Sequence, residues 1–231
     1  MFSHLFDSLI NLLFPKVCSG CKDFLLEFEN VICTHCRHEI PLTNFHLNPE
    51  NEGYQKFYGR IPFEFVSSFV YFHKKGIVQE MIHGLKYRGR EEVGEILGNW
   101  YAEDLKKLAV METVDFIIPV PLHKKRLRQR GYNQVTMFGK ALSEQLEIEY
   151  NETILVRKTY SKTQSKKNLL ERMAGGKTIF DVEFNECAHN KHFLIVDDVL
   201  TTGATLENCS RAIMKIPGAK VSIVTMAMSH S

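Results

Sequence analysis

From residue 114 onward the chain alternates short apolar runs with stretches of helical periodicity. Apolar runs of this length, separated by helices, are typical of parallel strands that crossover helices cover on both faces. We therefore predict an α/β fold with a five-stranded, mostly parallel sheet. The predicted strands are residues 114–121, 153–159, 177–182, 192–198 and 221–228. Because ligands of such sheets collect at the carboxyl ends of the strands, the residues that follow each run are the candidate site residues.

The fourth run, HFLIVDD, ends in Asp197 and Asp198 and leads into a turn of hydroxyl residues around one glycine. The mutual repulsion of the two carboxylates disfavours the ionisation of both. The turn enters a helix and points backbone N–H groups at one spot, where the helix dipole favours an anion. The pattern GxxxxGK[ST] is absent from the chain, so ATP binding by a P-loop is not expected. A phosphate-sized turn beside carboxylates that can accept hydrogen bonds from vicinal hydroxyls predicts a ribose 5-phosphate site.

Two CxxC pairs lie near the start of the chain, Cys18 with Cys21 and Cys33 with Cys36. Each CxxC turn brings two thiolates to one ion, and two such turns complete a tetrahedron with no open position. We therefore expect a structural zinc site rather than a catalytic one, the alternative being a fortuitous cluster of cysteines. Three nearby histidines could replace a ligand but are not needed: His35, His38 and His46.

Length and composition allow one main domain with a small accessory module, since 231 residues with 44% hydrophobic content can bury a core. The formal net charge of +2 argues against a general nucleic-acid coat. No apolar run approaches the roughly 18–20 residues that span a bilayer, so we expect a cytoplasmic protein. The N-terminal segment MFSHLFDSLINLLFP has amphipathic helical periodicity. It is expected to pack on the protein itself, the alternatives being a membrane surface or a partner.

Two domains are predicted, with residues 1–58 forming the N-terminal helix and zinc module and residues 59–231 the main domain, whose core is about 114–231. Residues 41–60 are rich in asparagine, proline and glycine and are interpreted as a linker. The run FEFVSSFVYFH (63–73) has strand composition, and the residues from Gly76 to about 108 fit one or two helices. The sequence does not indicate the role of residues 60–113.

The stretch LIVDDVLTTGAT (194–205) resembles the phosphoribosyl-pyrophosphate (PRPP) signature of type I phosphoribosyltransferases. Over nearly its whole length the chain resembles ComF-type proteins, a phosphoribosyltransferase-like family tied to natural competence and DNA uptake. The features that carry this second resemblance are the paired CxxC motifs, PVPLHKKRLRQRGYNQ (119–134), and Gln164 with ERMAGGKTIF (171–180). Two departures are visible: Gly175 stands where the family usually has Asn, and Thr178-Ile179 replaces Gly-Ala.

The resemblance implies roles for four groups of residues. The acidic pair, Asp197 and Asp198, would contact the ribose hydroxyls and is the predicted catalytic pair. The 5-phosphate would lie on the turn formed by Val199, Leu200, Thr201, Thr202, Gly203, Ala204 and Thr205. Pyrophosphate, accompanied by Mg²⁺, would be held at a loop that contains Val120, Pro121, Leu122, His123, Arg126 and Arg130. A mobile loop would contribute Arg157, Lys158, Gln164 and Arg172.

Two functions follow from this resemblance. In the first, the chain is a phosphoribosyltransferase that displaces pyrophosphate at ribose C1′, with an acceptor that the sequence does not identify. In the second, it is an adaptor whose zinc module and basic loops engage single-stranded DNA or a competence helicase, and whose pocket senses a nucleotide or is vestigial. The cations of residues 124–130 are interpreted as pyrophosphate ligands, the alternatives being a solvated surface or contact with a nucleic-acid backbone.

Overall fold

A computed structural model of the protein describes residues 15–158 and 179–229. Its main sheet has five strands, all parallel, in the order β1-β7-β6-β2-β3. The strands are β1 (Phe65–Phe72), β2 (Phe116–Pro119), β3 (Glu149–Tyr150), β6 (His192–Leu200) and β7 (Lys220–Ser229). The predicted five-stranded parallel sheet is confirmed, whereas the predicted N-terminal helix lies outside the described residues.

Helices cover both faces of this sheet, and each face has its own hydrophobic core. The helices are α1 (Thr34–Glu39), α2 (Glu52–Phe57), α3 (Ile77–Tyr87), α4 (Glu92–Leu105), α5 (Lys124–Arg130), α6 (Thr136–Leu146) and α7 (Ala204–Ile213). Three of them, α3, α4 and α6, build the first core, and α2 and α7 build the second. Within the described ranges, every helix is too short or too polar to cross a membrane.

Two of the five predicted strands do not belong to the main sheet. They are β4 (Leu155–Arg157) and β5 (Phe180–Val182), which pair with each other as an antiparallel ribbon beside α7. Their places in the parallel sheet are taken by β1 and by the two-residue β3. The prediction was wrong because a short apolar run has the same composition whichever ladder it joins. Leu155 and Phe180 are buried in the second core, which accounts for their apolar character without a place in the main sheet.

Residues 41–60 are not an extended linker. They contain a 3₁₀ turn (Phe45–Leu47) and α2, and they bury Phe45 and Phe57 in the second core. The asparagine that suggested a loop is a helix cap, since the Asn51 side chain accepts a hydrogen bond from the Tyr54 N–H at 3.0 Å. Its amide also donates to the Val66 carbonyl on β1 at 2.9 Å. The segment is therefore tied to the sheet, and a domain boundary near residue 58 stays a prediction.

Candidate functional site

A cleft of about 690 Å³ opens where the main chain leaves the carboxyl ends of β2 and β6. Eleven of the predicted site residues line it: Val120, Pro121, Leu122, Arg126, Arg130, Arg157, Asp197, Asp198, Val199, Thr201 and Thr205. Six residues that were not predicted complete the lining: Lys86, Tyr87, Gly89, Gln129, Tyr132 and Gln134. The acidic end of β6, the turn at residues 201–205 and the basic loop at residues 119–131 are separate in sequence but line one cleft.

The remaining predicted residues lie elsewhere. Leu200 is buried in the second core, and the side chain of His123 caps α5 by accepting a hydrogen bond from the Lys125 N–H at 3.1 Å. Lys158 forms an ion pair with Asp181. Of the other predicted residues, Thr202, Gly203 and Ala204 belong to the turn without lining the cleft, and Gln164 and Arg172 fall outside the described residues.

The acidic pair straddles the end of β6, because neighbouring residues of a strand point to opposite faces of the sheet. Leu194 and Val196 pack in the first core, which places Asp198 on the face of α3, α4 and α6. Ile195 packs in the second core, which places Asp197 on the face of α7. Both carboxyl groups nevertheless line the same cleft. They can therefore approach one ligand from two sides while still repelling each other.

Asp198 is held by two residues that the sequence analysis did not single out. Its Oδ2 atom accepts a hydrogen bond from Gln134 Nε2 at 2.7 Å and lies 3.0 Å from Lys86 Nζ. The carboxylate is almost fully buried, so both donors offset the loss of its hydration. Gln134 stands in the RGYNQ motif and Lys86 in a basic stretch of α3, but nothing local in either stretch points to Asp198.

Asp197 has a different environment. Burial and the neighbouring charge of Asp198 raise the pKa of Asp197 to about 8, although Lys86 acts in the opposite direction. One of its oxygens, Oδ1, accepts the backbone N–H of Asp198 at 2.8 Å. This carboxyl group is therefore harder to ionise than an ordinary aspartate.

The residues RGYNQ join three walls of the cleft. The Tyr132 hydroxyl donates to the Leu85 carbonyl on α3, and the Asn133 amide donates to the Val120 carbonyl at 3.0 Å. Gln134 binds Asp198 through its amide nitrogen, and its amide oxygen accepts from Arg130. This motif therefore fixes the basic loop (residues 119–131) against both α3 and β6.

The Thr-Gly turn (residues 201–205) is supported from beneath by the segment that was predicted to be a linker. Gly203 has a φ of +79°, and a Cβ at this position would lie 3.0 Å from the Phe57 ring. Glycine meets both demands, since it tolerates positive φ and has no side chain to clash. Arg60 donates to the Thr202 carbonyl at 3.1 Å and pairs with Glu207 in the first turns of α7. The hydroxyl side chains of Thr201 and Thr205 are left exposed toward the cleft.

The cations of the basic loop divide between two surfaces. Arg126 and Arg130 line the cleft, and the Arg130 guanidinium also lies 5.4 Å from the centre of the Tyr87 ring. A separate depression of about 450 Å³ is lined by His123, Lys124, Lys125, Arg128 and Gln129. One short helix, α5, therefore presents positive charge in two directions.

The four cysteines at the start of the chain form a compact cluster that could hold a metal ion. Their Sγ atoms all lie within 4.8 Å of one another, and Cys21 and Cys33 are separated by 3.7 Å. A tetrahedral zinc site with Zn–S bonds of about 2.3 Å requires sulfur atoms about 3.8 Å apart. The Cys18 sulfur also accepts the N–H groups of Gly20 and Cys33, both at 3.3 Å. Burial opposes ionisation, but these donors lower the pKa of Cys18 to about 7, which suits a thiolate ligand.

The cysteine module (residues 16–40) is part of the first core rather than an appendage. Cys18, Cys33 and Cys36 are buried in the same cluster as the inner side chains of β1, α3 and α4. The module packs closely against α3, since a Cβ on Gly20 would lie only 2.6 Å from the Ile77 side chain. The Arg37 guanidinium lies 4.8 Å from the centre of the Trp100 ring on α4. Trp100, the single tryptophan of the chain, therefore reports on this contact.

Replacement of Asp197 by asparagine should change how stability depends on pH. The pKa of Asp197 is about 8 in the folded protein, against 3.8 ordinarily. Between about pH 4 and pH 8 the unfolded chain therefore ionises this group more readily than the folded protein does, and the free energy of unfolding falls as pH rises. Asp197→Asn removes this loss, and its melting temperature should exceed that of the wild type by a margin that grows between pH 5 and pH 8.

Asp181→Asn is the matched control, with the opposite sign. Lys158 and Lys215 hold the pKa of Asp181 well below its ordinary range, so its stabilisation is complete above pH 4. This variant should be less stable than the wild type by a constant margin from pH 5 to pH 8. The melting temperatures of both variants and the wild type are measured across that range. A difference between Asp197→Asn and the wild type that stays constant with pH would contradict the raised pKa of Asp197.

The chain has relatives among characterised proteins, although no model of a known protein family matches it. Competence protein F of Haemophilus influenzae is 26% identical over 219 residues, which cover 91% of this chain and 90% of that protein. Competence protein ComFC of Bacillus subtilis is 30% identical over 155 residues, covering 66% and 60%. DNA utilization protein YhgH of Escherichia coli K12 is 27% identical over 146 residues, covering 62% and 63%. The aligned part thus spans less than two thirds of the latter two proteins.

Among solved structures, a glutamine PRPP amidotransferase from B. subtilis is 16% identical, with a TM-score of 0.42 over 61% of this chain and 30% of that chain. An adenine phosphoribosyltransferase from Leishmania tarentolae is 13% identical, with a TM-score of 0.36 over 61% and 73%. The sequence identity to the competence proteins is higher than that to these solved structures, and the alignment with competence protein F extends over most of the chain. The chain is therefore a homologue of competence protein F, ComFC and the YhgH proteins, with 26–30% identity over the aligned residues.

Proposed function

We propose that the chain binds PRPP with Mg²⁺, or another phosphoribosyl compound, in the cleft, and that it serves competence and DNA uptake as the names of its relatives suggest. The observation that supports this most directly is the meeting of three features on one cleft. These are the acidic pair, the exposed hydroxyls of the Thr-Gly turn and the cations of the basic loop. PRPP needs all three at once, because it presents a 5-phosphate, a ring with hydroxyls and the further negative charge of its pyrophosphate.

Each feature has a distinct task in this proposal. Thr201, Thr205 and the first turn of α7 bind the 5-phosphate, with the helix dipole favouring its charge. Asp197 and Asp198 accept hydrogen bonds from the ribose hydroxyls. Arg126 and Arg130 hold the pyrophosphate, whose oxygens suit a bidentate guanidinium. The Mg²⁺ that accompanies PRPP would offset part of the charge of the pyrophosphate.

If turnover occurs, the bond between ribose C1′ and the pyrophosphate oxygen breaks while an acceptor forms a new bond to C1′ and gives up a proton. The chain's own contribution is to hold the sugar and the leaving group in a fixed relation and to stabilise the charge that develops on pyrophosphate. Calorimetric titration with Mg²⁺ and PRPP tests the binding, and pyrophosphate release over a panel of acceptors tests the transfer. Absence of binding at millimolar PRPP would remove the proposal.

The division within the Thr-Gly turn gives a prediction with an internal control. Thr201 and Thr205 line the cleft and Thr202 does not. A hydrogen bond to a charged group contributes about 1.5–3 kcal/mol, so Thr201→Val and Thr205→Val should each raise the Kd for ribose 5-phosphate at least about tenfold. Thr202→Val should leave the Kd within about twofold. Equal losses for all three variants would place the phosphate elsewhere.

A second candidate function, contact with single-stranded DNA, is favoured by the cations that face away from the cleft. Lys124, Lys125 and Arg128 are exposed and border the separate depression on α5. Their direction leaves them available to a phosphate backbone while Arg126 and Arg130 serve the cleft. The two candidate functions can therefore coexist on one loop.

Salt dependence tests this second function. Single-stranded DNA loses affinity with a slope of about −0.7 in log K against log salt for each phosphate that is neutralised. The triple variant Lys124→Gln, Lys125→Gln, Arg128→Gln should therefore weaken oligonucleotide binding and reduce the slope by about 2. Its affinity for PRPP should not change. If the wild type shows no salt-dependent binding, the cations are a solvated surface.

We also propose that the cysteine module holds a structural Zn²⁺ through Cys18, Cys21, Cys33 and Cys36. The compact sulfur cluster and the N–H donors to Cys18 support this choice. Because three of the four sulfurs lie in the first core, the ion would stabilise the main domain as well as the module.

Removal of one ligand should consequently destabilise the whole protein. Loss of a structural metal belongs to the changes that cost about 4 kcal/mol or more, which corresponds to roughly 8–16 °C in the melting temperature of a chain of this size. Cys36→Ser should show this loss, a zinc content near zero by native mass spectrometry, and altered Trp100 emission. Cys187→Ser, at an exposed cysteine outside the cluster, should retain zinc and melt like the wild type. A wild type that folds without metal would contradict the proposal.

A further inference from the structure

Lys86 comes from a part of the chain to which the sequence assigned no role, and it reaches the centre of the cleft. It lies in the last turn of α3, and its Nζ atom is 3.0 Å from Asp198 Oδ2. Its side chain is 24% exposed and that of Asp198 is 9% exposed, so water screens this ion pair only in part. An ion pair in such a position differs from the solvated surface pairs elsewhere on the molecule, which contribute little.

We propose that Lys86 is a positioning residue for the acidic pair: its ammonium group holds the Asp198 carboxylate in place and offsets part of the repulsion that this carboxylate exerts on Asp197. The consequence for ribose binding rests on the proposed function, whereas the distribution of charge within the pair does not. The reason lies in the opposite orientation of the two side chains. A cation on one face of the sheet can satisfy only the carboxylate on that face.

The charged groups around the pair differ on the two faces. On the face of Asp198, Lys86 makes direct contact and Arg130 acts through Gln134. Because Arg130 donates to the amide oxygen of Gln134, the amide nitrogen must point to Asp198, which fixes the amide orientation. Both partners of Asp198 are therefore donors, and donors favour a carboxylate over a carboxylic acid.

On the face of Asp197 the surroundings are less favourable to charge. The buried thiol of Cys209 on α7 lies nearby, and burial raises its pKa well above the ordinary value, with Asp197 adding to the shift. Arg157 faces the cleft from β4 and stacks over the Phe180 ring at 5.2 Å. Of the remaining titratable side chains on the cleft wall, Arg126, Tyr87 and Tyr132 come from the basic loop and its neighbours. Among the cations on the cleft wall, Lys86 is the one that forms an ion pair with the acidic pair, through Asp198.

The two carboxyl groups would consequently offer different chemistry to one sugar. Asp198, charged and held by two donors, acts only as an acceptor. Asp197, when protonated, can donate as well as accept. Vicinal hydroxyls can then be bound without two full negative charges facing the same ring. This arrangement relieves the repulsion that the adjacent aspartates would otherwise impose.

The test is a pH titration of the ligand-free protein with ¹³C-carboxyl-labelled aspartate, observed by NMR, in which Asp197→Asn and Asp198→Asn assign the two signals. In Lys86→Met the titration of Asp197 should move upward by about one pH unit or more, because the positive charge that lowers the pKa of Asp197 has been removed. Lys86→Gln, which keeps a polar end group, should show the same shift. Lys86→Arg should restore the wild-type titration. Lys140→Met, at an exposed lysine outside the cleft lining, should leave it unchanged.

Ribose 5-phosphate binding provides the second measurement on the same variants. Lys86→Met should raise the Kd about tenfold or more and shift its pH dependence in step with Asp197, and Lys86→Arg should recover most of the affinity. An unchanged Asp197 titration in both neutral variants would overturn the role of Lys86, as would an arginine variant that behaves like the methionine variant. If no variant binds ribose 5-phosphate but the titration shifts, the proposed function fails and the role of Lys86 stands.

Discussion

The burial of β6 is the constraint on which the site depends. This strand pairs with β2 on one edge and β7 on the other, and both of its faces are covered by hydrophobic cores. Residues 193–196 are apolar and fully buried, so none of their side chains is accessible to a ligand before the strand reaches its carboxyl end. The acidic pair appears there, at the first position where solvent or a ligand can reach it. Its location is therefore a consequence of how the strand is enclosed.

Links between distant segments give the cleft its shape. Residues 132–134 connect the basic loop to α3 and to Asp198, and Phe57 with Arg60 supports the Thr-Gly turn from below. Apart from the packing of the Phe57 ring, each link joins a polar side chain to a backbone carbonyl or a buried acid, and loss of either partner costs free energy. The walls of the cleft are thus held in relation to one another before any ligand arrives, which reduces the cost of ordering them on binding.

The cysteine module also takes part in this framework. Its buried sulfurs belong to the core that carries α3, and α3 carries Lys86. Loss of packing in the module would therefore also destabilise α3, the helix that carries Lys86 to Asp198. A structural metal in this position would stabilise the wall of the cleft as well as the loop that binds the ion, which is a reason for the two regions to occur in one chain.

The sequence alone determined the features that are local. The acidic pair, the hydroxyl turn, the two CxxC pairs, the basic loop and the strands predicted at residues 192–198 and 221–228 follow from composition, spacing and periodicity over a few residues. Eleven of the predicted site residues line the cleft for this reason, since they lie at the ends of strands or in the loops that follow. The parallel character of the sheet was equally local, because it follows from alternating strands and helices.

The tertiary structure decided what depends on partners far apart in the chain. The ribbon of β4 and β5, the use of β1 and β3 in the main sheet, and the packing of residues 41–60 depend on which neighbour each short run meets. Lys86 and Gln134 reach Asp198 across 112 and 64 positions of the chain, and Arg60 reaches the Thr202 carbonyl across 142. Nothing in a lysine at the end of a helix specifies which carboxylate it will meet. That choice is made by side-chain packing in three dimensions, where the interaction energy of a contact depends on distance in space and not on separation along the chain.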